Sequence, residues 1–140
     1  MSEIVELSMA ECQQHLDRGG VGRLAFSTPH GLRIVPLNFS ANAGVIVFRT
    51  APESELGTYG EGAEAVFEID EVDHDAELGW SVVASGRLER PSEVDDVWDF
   101  RGWRNPTPWS GDRRNFHLNL RWNAVTGRRI VRAATRPAAR

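Results

Sequence analysis

At 140 residues and 41% hydrophobic content, the chain is sized for one globular domain with its own core, to which a subunit interface would add. No run approaches the roughly 18 to 20 apolar residues of a spanning helix, and the N-terminus lacks the basic and apolar regions of an export signal. A cytoplasmic protein with no membrane partner is therefore expected, and the net charge of −4 with the single Cys12 argues against nucleic-acid binding, disulfides and thiolate metal clusters.

All 16 basic residues are arginine, so no lysine can form a Schiff base or clamp a phosphate. Residues 1–99 hold 19 acids against 6 arginines, a balance of −13, while residues 100–140 hold 10 arginines and 1 acid, a balance of +9. The two parts should attract, either within one chain or between subunits, and the arginines could approach a phosphorylated ligand.

In chain order, Ser8 and Glu11 fit a capping box opening a short helix, with Met9, Cys12 and Leu16 on its apolar face and Gly19-Gly20 at its end. Residues 21–28 alternate with Leu24 and Phe26 inward, and Pro29-His30-Gly31 turns the chain. The central hairpin follows: Ile34, Val35, Leu37 and Phe39 in one strand, Val45 to Phe48 in the next, and Asn42-Ala43-Gly44 as the turn. Pro36 cannot donate to a ladder, which places it at an edge, a bulge or the split of a barrel. Asn38, on the same side, can present its amide to a ligand or close a local bond. After Phe48, Arg49 and Thr50 lead through Pro52 into a short helix with Ser54 and Leu56. A guanidinium, a hydroxyl and a helix start in succession suit a phosphate.

Residues 63–73 read as a strand with one wet face, and the acidic run from Glu68 to Glu77 as a solvated hairpin tip that matches no metal-loop pattern. Residues 80–90 form another strand, with Gly86 as a bulge or close-approach point. Pro91, Ser92 and Asp95 start a helix toward Phe100, and an Arg- and Trp-rich loop follows. Strand 115–122 alternates Phe116, Leu118, Leu120 and Trp122 against His117, Asn119 and Arg121. Residues 123–127 are read as a turn into a last strand at 128–133, with 135–140 a frayed tail after a single domain spanning 1–134. The fold class is mainly β (α+β), a six-stranded antiparallel split β-barrel with short flanking helices.

No nucleophile elbow, paired-histidine zinc spacing, P-loop or dinucleotide fingerprint is present, so catalytic residues are unknown and the chemistry is expected to come from a bound cofactor. The segments ECQQHLDRGGVGRLAF, RIVPLNF, VIVFRTAPESEL, FEIDEVD, GWSVVASGRLE and VTGRRI resemble, in that order, the pyridoxamine 5'-phosphate oxidase-related FMN-binding split-barrel family. The resemblance implies a homodimer with FMN at the interface and a small-molecule substrate. It sets the flavin ring against Val35, Pro36, Leu37 and Asn38, with Arg49, Thr50, Ser54 and Glu55 at the phosphate end. Ser81 would face the flavin, and Trp109 would come from the partner subunit. A deazaflavin coenzyme in the same groove, or a barrel without cofactor, are the alternatives. Where the family carries an APGTKL-like turn this chain has APESEL, which puts Glu53 and Glu55 in the glycine and basic positions. Either Arg113, Arg114 or Arg128 compensates, or a different molecule is bound.

Overall fold

The computed structural model describes residues 2–91 and 116–132. The described elements run β1 (Ser2–Glu6), α1 (Met9–Asp17), β2 (Gly20–Thr28), β3 (Gly31–Asn42), β4 (Val45–Thr50), α2 (Glu55–Tyr59), β5 (Glu64–Asp73), β6 (Leu78–Glu89) and β7 (Phe116–Arg132). All strand pairings are antiparallel, in the order β1-β7-β4-β3-β2-β5-β6, and β6 returns to β7 to close a six-membered ring. This is the expected split barrel with one strand more, since β1 lies on the C-terminal half of β7, outside the ring. The helix expected after Pro91, the Arg- and Trp-rich loop and the tail at 135–140 lie outside the described residues. Among the described residues, no helix is long and apolar enough to cross a membrane.

The two strands expected at 115–122 and 128–133 are one continuous strand of 17 residues. Asn123 is no turn residue. Ser85 pairs with Ala124 and Gly86 with Trp122, so Asn123 is the extra residue of a bulge on β7. Gly86 is the close-approach point opposite it, because a Cβ there would lie 2.6 Å from the Arg121 carbonyl oxygen. The other apparent turn residue, Gly127, makes room for α1: a Cβ there would meet Cys12 Sγ at 2.6 Å and Leu7 Cδ1 at 2.9 Å.

Alternation along each strand fills the barrel, as period-two patterning requires. Phe26, Phe48, Phe67, Leu24, Leu88, Leu118 and Leu120 are fully buried. Phe67 sits edge-on to Phe39 and Phe48, with centroids 4.8 and 5.0 Å apart. Such aromatic contacts add about 0.5–1.5 kcal/mol each to the burial term. Gly22 permits this arrangement, since a Cβ there would be 2.2 Å from Phe67 Cζ.

Helix α1 seals one end of the barrel. Its capping box is present: Glu11 N donates to Ser8 Oγ and Ser8 N donates to Glu11 Oε1, each at 3.1 Å, and these bonds hold the Glu11 carboxyl below its usual range. Cys12 and Leu16 are buried as expected and Met9 is not, at 61% exposure. Gly19 ends the helix segment with a φ of +67°, and burial pushes the Cys12 thiol up.

His15 stacks on Trp80 of β6 with centroids 3.7 Å apart and planes 20° apart. Burial, aided by the nearby Arg18 charge and opposed by Glu11 and Glu71, lowers its pKa from the ordinary 6.5. A depressed folded-state pKa means the unfolded chain binds the extra proton first, so this contribution is complete above pH 6.5 and lost as pH falls. Urea unfolding of the wild type and His15→Asn should show the wild type losing ground as pH falls below about 6.5 and little change above it; a constant difference would refute the linkage. Gly127→Ala should lower stability by about 1–3 kcal/mol through overpacking. Adding Cys12→Ala should recover part of that loss, and a neutral Gly127→Ala would show that α1 does not press on β7.

Candidate functional site

The barrel splits between β3 and β4. Strand β4 pairs with β3 only from Phe39 to Asn42, then follows β7 from Val45 to Thr50. Among the described residues, 31–38 of β3 pair with β2 alone, and no other described strand lies along their second edge. Pro36 stands on that stretch, where a missing N–H costs no ladder bond. Val35, Leu37 and Phe39 alternate inward, Leu37 with 5% exposure, while Pro36 and Asn38 lie on the outward side. The four expected ring-contact residues thus share one open edge, with Leu37 able to contribute only its backbone.

At the end of β4 the side chains of Arg49 and Thr50 leave opposite faces, as neighbouring strand residues must. Thr50 is 4% exposed and turns toward the segment that follows, whereas Arg49 is opposite His117 on the other face. Ser54 is the N-cap of α2: its Oγ accepts from Gly57 N at 3.0 Å and donates to Ala51 O at 2.7 Å. A serine has one hydroxyl proton, so the 2.9 Å contact between Thr50 Oγ1 and Ser54 Oγ is donated by Thr50. Both hydroxyl protons are spent inside the turn. Gly57 lies close against the preceding turn, where a Cβ would be 2.3 Å from Ala51 O.

Glu55, the first residue of α2, receives the Arg33 Nε at 3.1 and 3.2 Å on its two oxygens. Arg33 Nη1 also donates to Leu32 O at 3.1 Å. His30 and Tyr59 complete the corner with a 3.4 Å contact between Nε2 and the phenol oxygen. Arg33, His30 and Tyr59 are not foreseen from the sequence as site residues. Arg33 opens the RIVPLNF segment, but the 22 residues separating it from Glu55 hide the pairing. Arg128, one of the arginines considered as a substitute cation, instead pairs in register with Glu6 and Ser81, away from this turn. Arg113, Arg114 and Trp109 lie outside the described residues.

Ser81 is not brought to this corner. It pairs with Asp70 and Arg128 on β6, which β2 and β5 separate from β3. Three strand spacings make roughly 14 Å. It lines a separate cavity of about 470 Å³ with Ile4, Val72 and Ile130. Between the two places, on the outward side, Arg23 bridges Glu68 and Asp70, the latter at 2.8 Å. Burial pushes the Glu68 carboxyl up, with Arg23 opposing and Asp70 reinforcing the shift. Among the described residues no group of histidine, cysteine and carboxylates could hold a metal ion.

A flavin fits this architecture in part. The open β3 edge offers backbone donors and acceptors to a planar heterocycle. The phosphate end does not match, because its hydroxyl protons are used internally and its forward-facing guanidinium is held by a carboxylate.

The chain is similar to a protein known by sequence and to solved structures of the same fold. An uncharacterized protein of Mycobacterium tuberculosis, Rv0080, is 26% identical over 140 residues, 96% of this chain and 91% of the relative. An FAD-binding protein of Mycobacterium smegmatis superposes with a TM-score of 0.67 at 24% identity, covering 91% of this chain and 98% of that one. A protein of unknown function from Corynebacterium diphtheriae, DIP1874, reaches 0.72 at 24% identity over 91% and 98% of the two chains. The family model described as pyridoxamine 5'-phosphate oxidase matches residues 8–129, through every element from the α1 cap to the end of the ring, and the chain belongs to that family.

Proposed function

We propose that this is a flavin-binding, oxidoreductase-like protein working as a homodimer, with the ring system along Val35–Asn38 and FMN the form the family pattern implies. The single observation that carries the reading is the open edge of β3 at residues 31–38, bordered by the end of β4 and the Ser54 cap. Family membership and the FAD-binding relative of the same fold make a flavin the cofactor class to test. A bound flavin supplies hydride or electron exchange with a small substrate. The chain's own part is placement: backbone groups of Val35 to Asn38 bond a polar ring edge, Pro36 keeps that edge free of a further strand, and the buried barrel behind excludes water.

The dimer is supported by an apolar row on the outward face. Ile34, Ala25 and Val66 stand side by side across β3, β2 and β5, and Leu32 and Ile34 are 79% and 68% exposed. Exposed contiguous apolar surface of this kind marks an interaction face. It adjoins the open edge, so a second copy docking there would bring its own groups over the flavin, which is the place expected for Trp109. The second reading, a barrel without cofactor, is favoured by the Arg33–Glu55 pair at the phosphate end.

Titrating the purified chain with riboflavin, FMN, FAD and the deazaflavin coenzyme should give saturable quenching of flavin fluorescence. A colourless protein that answers to none of them would establish the cofactor-free reading. Light scattering should find a dimer, and Ile34→Asp should dissociate it and weaken flavin binding together. A monomeric wild type that still binds flavin would remove the interface from the site.

A further inference from the structure

We infer that the turn after β4 is built to refuse a phosphate dianion, so that this chain takes a flavin with an uncharged ribityl tail in preference to FMN or FAD. The inference rests on the flavin reading above and concerns the tail of that ligand. At the corner where the tail would lodge, Arg33 is, among the described residues, the cation beside the helix start, and both oxygens of Glu55 engage its Nε. The pair is neutral, and exposed Glu53 leaves the turn with a surplus negative charge. Neighbouring Arg49 leaves the opposite face of β4 from Thr50, and the chain contains no lysine that could swing in.

The hydroxyl donors and the capped N–H are also committed. Thr50 gives its proton to Ser54, Ser54 gives its own to Ala51 O, and the Gly57 N–H is taken by the Ser54 cap. An incoming phosphate therefore meets a carboxylate it must displace and no spare hydroxyl proton. Repulsion scales with ligand charge, so a tail carrying two negative charges is penalised and a ribityl hydroxyl is not. FMN carries those charges on one terminal phosphate, FAD carries them on the two phosphates of its pyrophosphate, and riboflavin has the uncharged tail. Glu55 is then a specificity-determining residue, with Arg33 as the cation it masks.

The test compares dissociation constants for riboflavin, FMN and FAD by fluorescence quenching, on the full-length wild type, on Glu55→Gln and on Arg33→Gln/Glu55→Gln. Both side chains are at least one-third exposed, so these changes leave the fold intact. In the wild type, FMN and FAD should each bind about tenfold more weakly than riboflavin, and the gap should shrink as salt is raised. Glu55→Gln should shift the FMN-to-riboflavin ratio about tenfold toward FMN by unmasking Arg33. Removing Arg33 as well should abolish that gain. FMN or FAD binding as tightly as riboflavin in the wild type, or a ratio that Glu55→Gln leaves unmoved, would overturn the inference while leaving the flavin reading intact. Failure of all three flavins would instead overturn the reading on which it rests.

Discussion

The hydrogen-bonding of β7 along both of its edges is the constraint from which the site follows. One edge pairs with β6 from Asn119 to Ile130, and the other serves β4 with its first residues and β1 with its last. Because β4 must follow β7 through Arg49 and Thr50, it parts from β3 after Phe48, and the first half of β3 is left without a partner on that side. An unpaired strand edge is ordinarily a liability that proteins cover or blunt. Here Pro36 sits on it and an apolar row lies beside it.

Small residues set how tightly this ring closes. Gly22 lets Phe67 reach the aromatic centre, Gly86 lets β6 pass the bulge in β7, and Gly127 lets α1 lie against the wall. Each would drive a Cβ below 3 Å from a neighbouring atom, so none is interchangeable with alanine without movement. The interior is close-packed, and movement at one wall is transmitted to the others.

Electrostatics divides the molecule differently from the chain. The acidic first part and basic last part do meet within one subunit, as where Arg129 lies 3.8 Å from Glu11, but that contact is exposed and contributes little to stability. The two denser ion-pair groups, Arg23 with Glu68 and Asp70 and Arg33 with Glu55, are internal to the acidic part. Arg33 with Glu55 lies at the start of β3, whereas Arg23 with Glu68 and Asp70 lies on its paired side, across β2 and β5. Among the described residues, the charges around β3 are therefore balanced locally.

Local chemistry was readable in the sequence wherever the cause was local. The Ser8–Glu11 capping box, the left-handed Ala43-Gly44 turn, the inward alternation of Leu24, Phe26, Leu118 and Leu120, and the edge position of Pro36 all depend on residues a few places apart. The family pattern supplied the order of the elements. Asn123 and Gly127 were misread as a turn because their role, a bulge and a helix contact, is set by β6 and α1 and not by their neighbours in sequence. Strand β1 was missed for a similar reason: a five-residue strand with an exposed face acquires its conformation from the β7 edge it joins. The Arg33–Glu55 pair and the separation of Ser81 from the phosphate turn were decided only by tertiary structure. Which charges face one another depends on strand register and ring closure, and those are settled by the whole sheet at once.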